Sequence, residues 1–381
     1  MRTRRGYSRF GLILALAGLS AGMQQSIYNS SQAGSVRLRA LRQHRAQLAR
    51  LRQKALHGDA AAADKLGWIR QRGNIWRNHP AAALRWFRLA AREGYASSMS
   101  TLGDFYFSGQ DGLPANAKLS AAWYRRAAMA ARAGARRGDA AAENTLAWLY
   151  EHGRGGVRKN DRRALEWFRR SARQHFPRAM TSLGWMHQSG LGGLKPNLKA
   201  AAAWYTRAAM AGNPTAQNNL AWLYLIGQKG MKPDQAKGQY WLQQALGQGS
   251  NAAFNTWAYL YKHGAGGYAA NQALAEKYFQ LAARRGDDIA QNNLAWFYLT
   301  SPDRQRRNPQ LAVRWGRRAV AGDPGNDQNW DTLAAAYFQA GKLRQAVAAE
   351  RRAVALATPA DRAGMQKTLR RYLVAAARKK K

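Results

Sequence analysis

Residues 214–249 read PTAQNNLAWLYLIGQKGMKPDQAKGQYWLQQALGQG, and this stretch decides the fold. Pro214 suits the first turn of a helix, where a missing N–H costs nothing. Leu220, Leu223 and Tyr224 follow at helical spacing, with small Ala216 and Ala221 allowing close approach. Gly227 and Gly230 stop that helix. After Lys232, Pro233 and Asp234, a second helix runs through Ala236, Tyr240, Trp241 and Ala245 to Gly247 and Gly249. The unit is an antiparallel helical hairpin.

The same unit recurs along the chain. Its anchors are Leu66, Leu102, Leu146, Leu183, Leu220, Leu294 and Leu333, with Trp257 in one slot, at steps of 36, 44, 37, 37, 37, 37 and 39 residues. An aromatic landmark follows each of the first seven anchors by 20 to 21 residues: Trp86-Phe87, Trp123-Tyr124, Trp167-Phe168, Trp204-Tyr205, Tyr240-Trp241, Tyr278-Phe279 and Trp315. A fixed period of this size predicts a stacked array, in which each unit buries its apolar face against its neighbours. The expected fold is all-α, a right-handed α-solenoid of stacked hairpins presenting a long curved surface and no enclosed pocket. The 44-residue step carries seven extra residues around 127–138. Seven residues make about two helical turns, so they can lengthen a helix and keep its apolar face in place.

Several units resemble Sel1-like repeats. The resemblance rests on residues 179–193 with 199–212, and on 146–157 with 161–172. There a small residue, an Asn-Leu-Gly-type core, a Tyr, a Gly-x-Gly loop and an Ala-x-x-Trp-Tyr-x-x-Ala-Ala second helix recur. The Gly after the anchor is replaced by Ala147, Ala221, Ala258 and Ala295, and the loop from Thr300 to Pro309 lacks glycine. Residues 326–357, with Leu333, Tyr337, Gly341 and Ala346, resemble a tetratricopeptide repeat instead. The resemblance implies a protein-interaction scaffold. The expected organisation is a leader or membrane anchor at 1–33, a basic capping helix at 34–57 and a Sel1-like array of about seven units at 58–322. A tetratricopeptide-like unit at 323–357 and a C-terminal capping helix with a basic tail at 358–381 complete it.

Composition narrows the function classes. The chain has no Cys, which excludes disulfides, thiolate metal sites and cysteine nucleophiles. Its 61 Lys and Arg against 20 Asp and Glu give a net charge of +41. Residues 1–57 hold eleven basic and no acidic residues; residues 341–381 hold twelve and two. Such ends attract anionic partners, an acidic membrane surface among them. Arg2, Arg4, Arg5 and Arg9 precede an apolar run from Phe10 to Met23, the pattern of an export signal. This predicts a periplasmic protein or one anchored to the inner membrane and facing the periplasm. Export disfavours nucleic acid as the partner, so a protein or peptide is the expected one.

No catalytic, cofactor or metal motif emerges. The Gly-rich stretches 153–156, 190–193 and 264–267 lie between helices and recur once per unit, so they read as turns rather than phosphate cradles. His152 and His263 occupy equivalent repeat positions, which makes them repeat pattern rather than a metal pair. The Ser and acidic residues show no nucleophile elbow and no acid–base pair.

Binding residues are expected on the concave face. Resemblance to tetratricopeptide hairpins implies that the first helix lines that face. Two residues after the anchors stand Trp68, Asp104, Trp148, Trp185, Trp222, Tyr259, Trp296 and Ala335; two before stand Asp64, Ser100, Asn144, Thr181, Asn218, Asn255, Asn292 and Asp331. The sets are four apart, so they share one helix face. The partner-binding candidates are Trp68, Trp148, Trp185, Trp222, Tyr259 and Trp296, with Asn144, Asn218, Asn255 and Asn292. The Trp rings supply contact area, and the amides can bond an extended backbone without reading its side chains. Burial of most of these rings would defeat the reading.

Overall fold

The computed structural model describes residues 46–72, 80–109, 113–227 and 230–378. The leader expected at 1–33 lies outside the described residues, as do 34–45 of the N-terminal cap and the last three residues of the tail. The chain divides into two units, residues 1–57 and 58–381. In the first, a helix spans 46–56, with Ala55 buried and Leu48 and Leu51 half-buried along one stripe.

The second unit is helical throughout its described residues, apart from turns and loops. Its hairpins are α1 (Ala60–Arg72) with α2 (Pro80–Arg92), and α3 (Ala96–Ser108) with α4 (Ala117–Arg136). Next come α5 (Ala140–His152) with α6 (Asp161–Arg173), and α7 (Pro177–Ser189) with α8 (Leu198–Met210). They continue with α9 (Pro214–Ile226) and α10 (Gln235–Gly247), then α11 (Asn251–His263) and α12 (Gln272–Arg284). The array closes with α13 (Asp288–Thr300) and α14 (Pro309–Gly322), α15 (Asp327–Gln339) and α16 (Leu343–Leu356), and a final α17 (Pro359–Arg378).

Each hairpin starts and turns for reasons visible in its residues. The second helices begin at Asn116, Asn160, Asn197, Asp234, Asn271 or Asn308, whose side chains accept a backbone N–H three residues on. The backbone N–H of each capping residue is also used. It donates to the last turn of the first helix, as from Asn197 to His187 O at 2.7 Å. Gly153, Gly190 and Gly264 end first helices at φ of 63, 71 and 64°, the left-handed region that glycine alone enters freely. The loop without glycine is held differently. It forms a short 3₁₀ turn, Arg304–Arg306, and Arg306 bridges Glu276 at 2.6 Å and Asp303 at 3.0 Å.

The core is a row of anchors and rings. Leu102, Leu183, Leu220 and Leu294 are fully buried, and the second residues of five aromatic pairs, Phe87, Tyr124, Phe168, Tyr205 and Phe279, are buried too. At Gly184 an added Cβ would lie 2.5 Å from the Tyr205 ring, so the small residue after the anchor is a steric requirement. Where that residue is Ala147 or Ala258, the ring is a Phe (Phe168, Phe279). In the fifth hairpin the expected landmark Tyr240-Trp241 is displaced by one. Tyr240 is 54% exposed and Leu242 takes the buried slot. Trp241 is half-buried, as Trp167 and Trp204 are in their hairpins, so the pair lies one residue ahead of the buried slot.

The seven extra residues do lengthen a helix. α4 has 20 residues where the other second helices of the first six hairpins have 13. Its added turns keep Ala131, Gly134 and Ala135 on the buried stripe.

First helices of neighbouring hairpins also touch directly, α3 with α5, α9 with α11, α11 with α13 and α13 with α15. They therefore crowd the inner side of the curve, and the second helices form the outer side. Among the described residues no helix is long and apolar enough to cross a membrane.

Candidate functional site

The inner face closes on itself, contrary to the expectation of an open surface without a pocket. Arg178, in the first turn of α7, reaches back 114 residues to α1, with Nη2 at 3.4 Å from Asp64 Oδ2. Its Nη1 donates to Ser97 Oγ of α3 at 3.0 Å, and its guanidinium lies 5.4 Å from the Trp68 ring centroid. Ser98 Oγ donates to Asp64 Oδ1 at 2.7 Å. Asp64 is 4% exposed, and burial raises its pKa even against the opposing pull of Arg178 and Ser98. Gly325, between α14 and α15, lies beside Phe107 at the end of α3. The coil thus returns to its own first hairpins. A cavity of about 510 Å³ lies where it does so, lined by Trp68 and Gln71 of α1 and by Asn251, Arg285, Asp287 and Asp288 from the later turns. Burial pushes Asp287 up to about 6.

This closure divides the predicted ladder. Trp68 is half-buried beneath Arg178. Trp148 is half-buried, stacked on His152 with ring centroids 4.4 Å apart. At the same register Asp104 carries no ring. It accepts Tyr124 Oη at 2.6 Å, and burial pushes it up to about 6. Beyond the closure the register opens: Trp185, Tyr259 and Trp296 are 48%, 40% and 42% exposed. Trp222 is half-buried and meets Tyr259 edge-on, with centroids 5.1 Å apart. None of the six aromatic candidates is fully buried.

The amide row behaves as a second register. The Oδ1 atoms of Asn144, Asn218 and Asn292 are buried and accept no hydrogen bond. Asn255 Oδ1 is engaged by Asn293 Nδ2 at 3.0 Å. A buried carbonyl without a donor costs about 1–3 kcal/mol, so these oxygens favour any N–H delivered to them. His152 and His263 pack on the ladder rings four residues before them, Trp148 and Tyr259, which is the repeat pattern the sequence implied. No cluster of three or more potential metal ligands occurs among the described residues.

The sequence shows neither the clasp Asp64–Arg178 nor the cavity. No periodic signal links residues 114 apart. Asp64 shares its charge with Asp331 alone at that repeat position, and Arg178 is the one cation at its own.

Seven segments match the family described as Sel1 repeat: residues 60–95, 96–131, 140–176, 177–213, 214–250, 255–287 and 288–323. The gap at 132–139 falls on the extension of α4 and the turn after it, and the hairpin α15–α16 lies beyond the last match. A Sel1 repeat protein from Oxalobacter formigenes is 23% identical over 84% of this chain and 90% of that one, with a TM-score of 0.45. A protective antigen of uropathogenic Escherichia coli strains displaying an SLR fold is 26% identical over 84% of this chain and 66% of that one, at 0.38. The Cut9–Hcn1 hetero-tetramer of APC/C is 14% identical over 84% of this chain and 56% of that one, at 0.52. A comparison with curated proteins returns no match.

Proposed function

The chain belongs to the Sel1 repeat family, whose repeats are generally protein-interaction scaffolds and typically not enzymes, and from that premise we propose that it is an adaptor holding an extended protein segment along α7, α9, α11 and α13. Trp185, Trp222, Tyr259 and Trp296 are the contact rings. Asn218 and Asn292, whose Oδ1 atoms are buried without a donor, turn their amides outward to accept backbone N–H groups of the bound segment. The observation that carries this reading is the pairing on α13 of the exposed Trp296 ring with the unsatisfied Oδ1 of Asn292 four residues earlier, repeated on α9 by the half-buried Trp222 and Asn218. Exposed rings alone would suit any apolar partner; the amides demand donors in a row, which a peptide backbone supplies. We further propose that the adaptor works outside the cytoplasm, because Arg2 to Met23 has the form of an export signal.

A photo-crosslinking residue placed at 296, with a second variant carrying it at 126 on the outer side, tests the site. The captured partner should join at 296 only, and its joined segment, made as a peptide, should bind the purified protein. Trp296→Ala and Asn292→Ala should each weaken that peptide about tenfold, the size of one lost hot-spot contact. Equal capture at both positions, or a peptide indifferent to both substitutions, would refute the groove. Fractionation of cells expressing the full chain tests the location, and recovery in the cytosol alone would overturn it.

A further inference from the structure

The charge of the array is sorted by helix. The eight second helices, α2 to α16, hold 24 Lys and Arg and four Asp and Glu. The eight first helices hold five and seven. All 24 basic residues of the second helices are exposed. Among the described residues, Lys237 alone of the 24 makes an ion pair, with Asp234 at 2.8 Å. A general drift toward Arg would load exposed positions of both helix sets with the same sign. Instead the inner helices are slightly acidic and the outer face carries nearly all of the surplus. Uncompensated cations repel one another and weaken the fold, so their concentration on one face needs a partner to explain it.

The arginines are also placed on aromatics. On three consecutive outer helices a half-buried Trp carries an Arg over its ring: Arg126 on Trp123 at 4.6 Å, Arg170 on Trp167 at 4.7 Å and Arg207 on Trp204 at 4.8 Å. Stacking holds each guanidinium flat and outward, with its fork of donors free for phosphate. We infer that the outer face of α4, α6 and α8 docks on an anionic phospholipid surface, with Arg126, Arg170 and Arg207 meeting headgroup phosphates and the Trp rings lying at headgroup depth.

The curvature favours lipid over nucleic acid. A duplex is itself a convex rod, and two convex bodies meet at few phosphates. Lipids diffuse laterally and can gather beneath each cation of a curved face. Trp and Arg together are the side chains that suit the membrane–water interface, one end apolar and the other wet. The apolar run from Phe10 to Met23 would bring the same chain to a bilayer.

The test uses the full chain, so that the apolar run is constant throughout. Co-sedimentation is measured with vesicles of phosphatidylcholine alone and of phosphatidylcholine mixed with phosphatidylglycerol. Wild type should bind the mixed vesicles more tightly, and salt should weaken the difference. The triple variant Arg126→Glu, Arg170→Glu, Arg207→Glu should lose at least about tenfold in that binding, since each basic residue near an anionic surface adds to the attraction. The neutral triple Gln variant, which adds no new charge, should fall between them; equal helicity of the variants confirms folding. A control reversing the same number of charges elsewhere, Arg50→Glu, Arg52→Glu, Lys342→Glu, should lose clearly less. Equal losses in the two Glu triples would mean net charge acts without this face and would overturn the inference. So would tighter binding of an oligonucleotide than of the mixed vesicles, lost in the Arg126, Arg170 and Arg207 variants.

Discussion

Glu350 is wholly buried, and neither of its carboxyl oxygens accepts a hydrogen bond. It sits on α16 beside Asp331 of α15, Arg371 and Tyr372 of α17 also act on it, and Asp327 acts through Asp331. Burial and then the Asp331 carboxyl push its pKa from 4.5 up to about 8. The folded chain therefore keeps a proton that the unfolded chain releases, and stability falls as pH rises from about 4.5 to about 8. Asp104 and Asp287, both raised to about 6, act in the same direction, so the informative quantity is the difference between variant and wild type. Glu350→Gln keeps the shape and removes the charge. It should match wild type at the acid end of this window and exceed it by roughly 3 kcal/mol near pH 7, since each pH unit above 4.5 costs the wild type about 1.4 kcal/mol. Thermal melts across the window decide the matter; a variant less stable than wild type near neutrality would show that Arg371 holds a charged Glu350 instead.

Hairpins are legible at the scale of the element because each carries its own start, stop and ring. The capping Asn of the second helix does two jobs, accepting from the third residue of that helix and donating its N–H to the previous helix. Asn197→Ala removes the first bond and keeps the second. It should cost about 1 kcal/mol, within the 0.5–2 kcal/mol of other helix caps, and leave the loop in place. A loss above 3 kcal/mol in denaturant titration would mean that the side chain also sets the loop. The extension of α4 was equally readable, because seven residues restore the helix face. The slip at Trp241 and Leu242 was not. There both rings sit one position early, and the buried slot falls to Leu242, an aliphatic residue that the aromatic landmark does not mark.

At the scale of the molecule the period says that hairpins stack and is silent on how tightly they coil. Small rotations per unit accumulate into the curve of the whole, and no local pattern of Leu, Gly or Trp records them. That is why the ladder register was found and its division was not. Whether Trp68 faces an open groove or a returning α7 depends on residues 114 positions away. The clasp of Arg178 on Asp64, Ser97 and Trp68 should therefore control the coil more than the hairpins it joins. Arg178→Ala leaves a carboxylate 4% exposed without its cation. The guanidinium is 37% exposed and solvent screens it, so the loss should be about 1–3 kcal/mol rather than the larger cost of a fully buried pair. Hairpin packing is untouched, so helicity by circular dichroism should stay the same. The first hairpins should separate from the later ones, and the radius of gyration in small-angle scattering should rise. Asp64→Asn, which keeps the acceptor for Ser98 and removes the charge, should open the coil less. An unchanged radius in Arg178→Ala would mean that the contact of Phe107 with the turn at Gly325 closes the coil without the clasp.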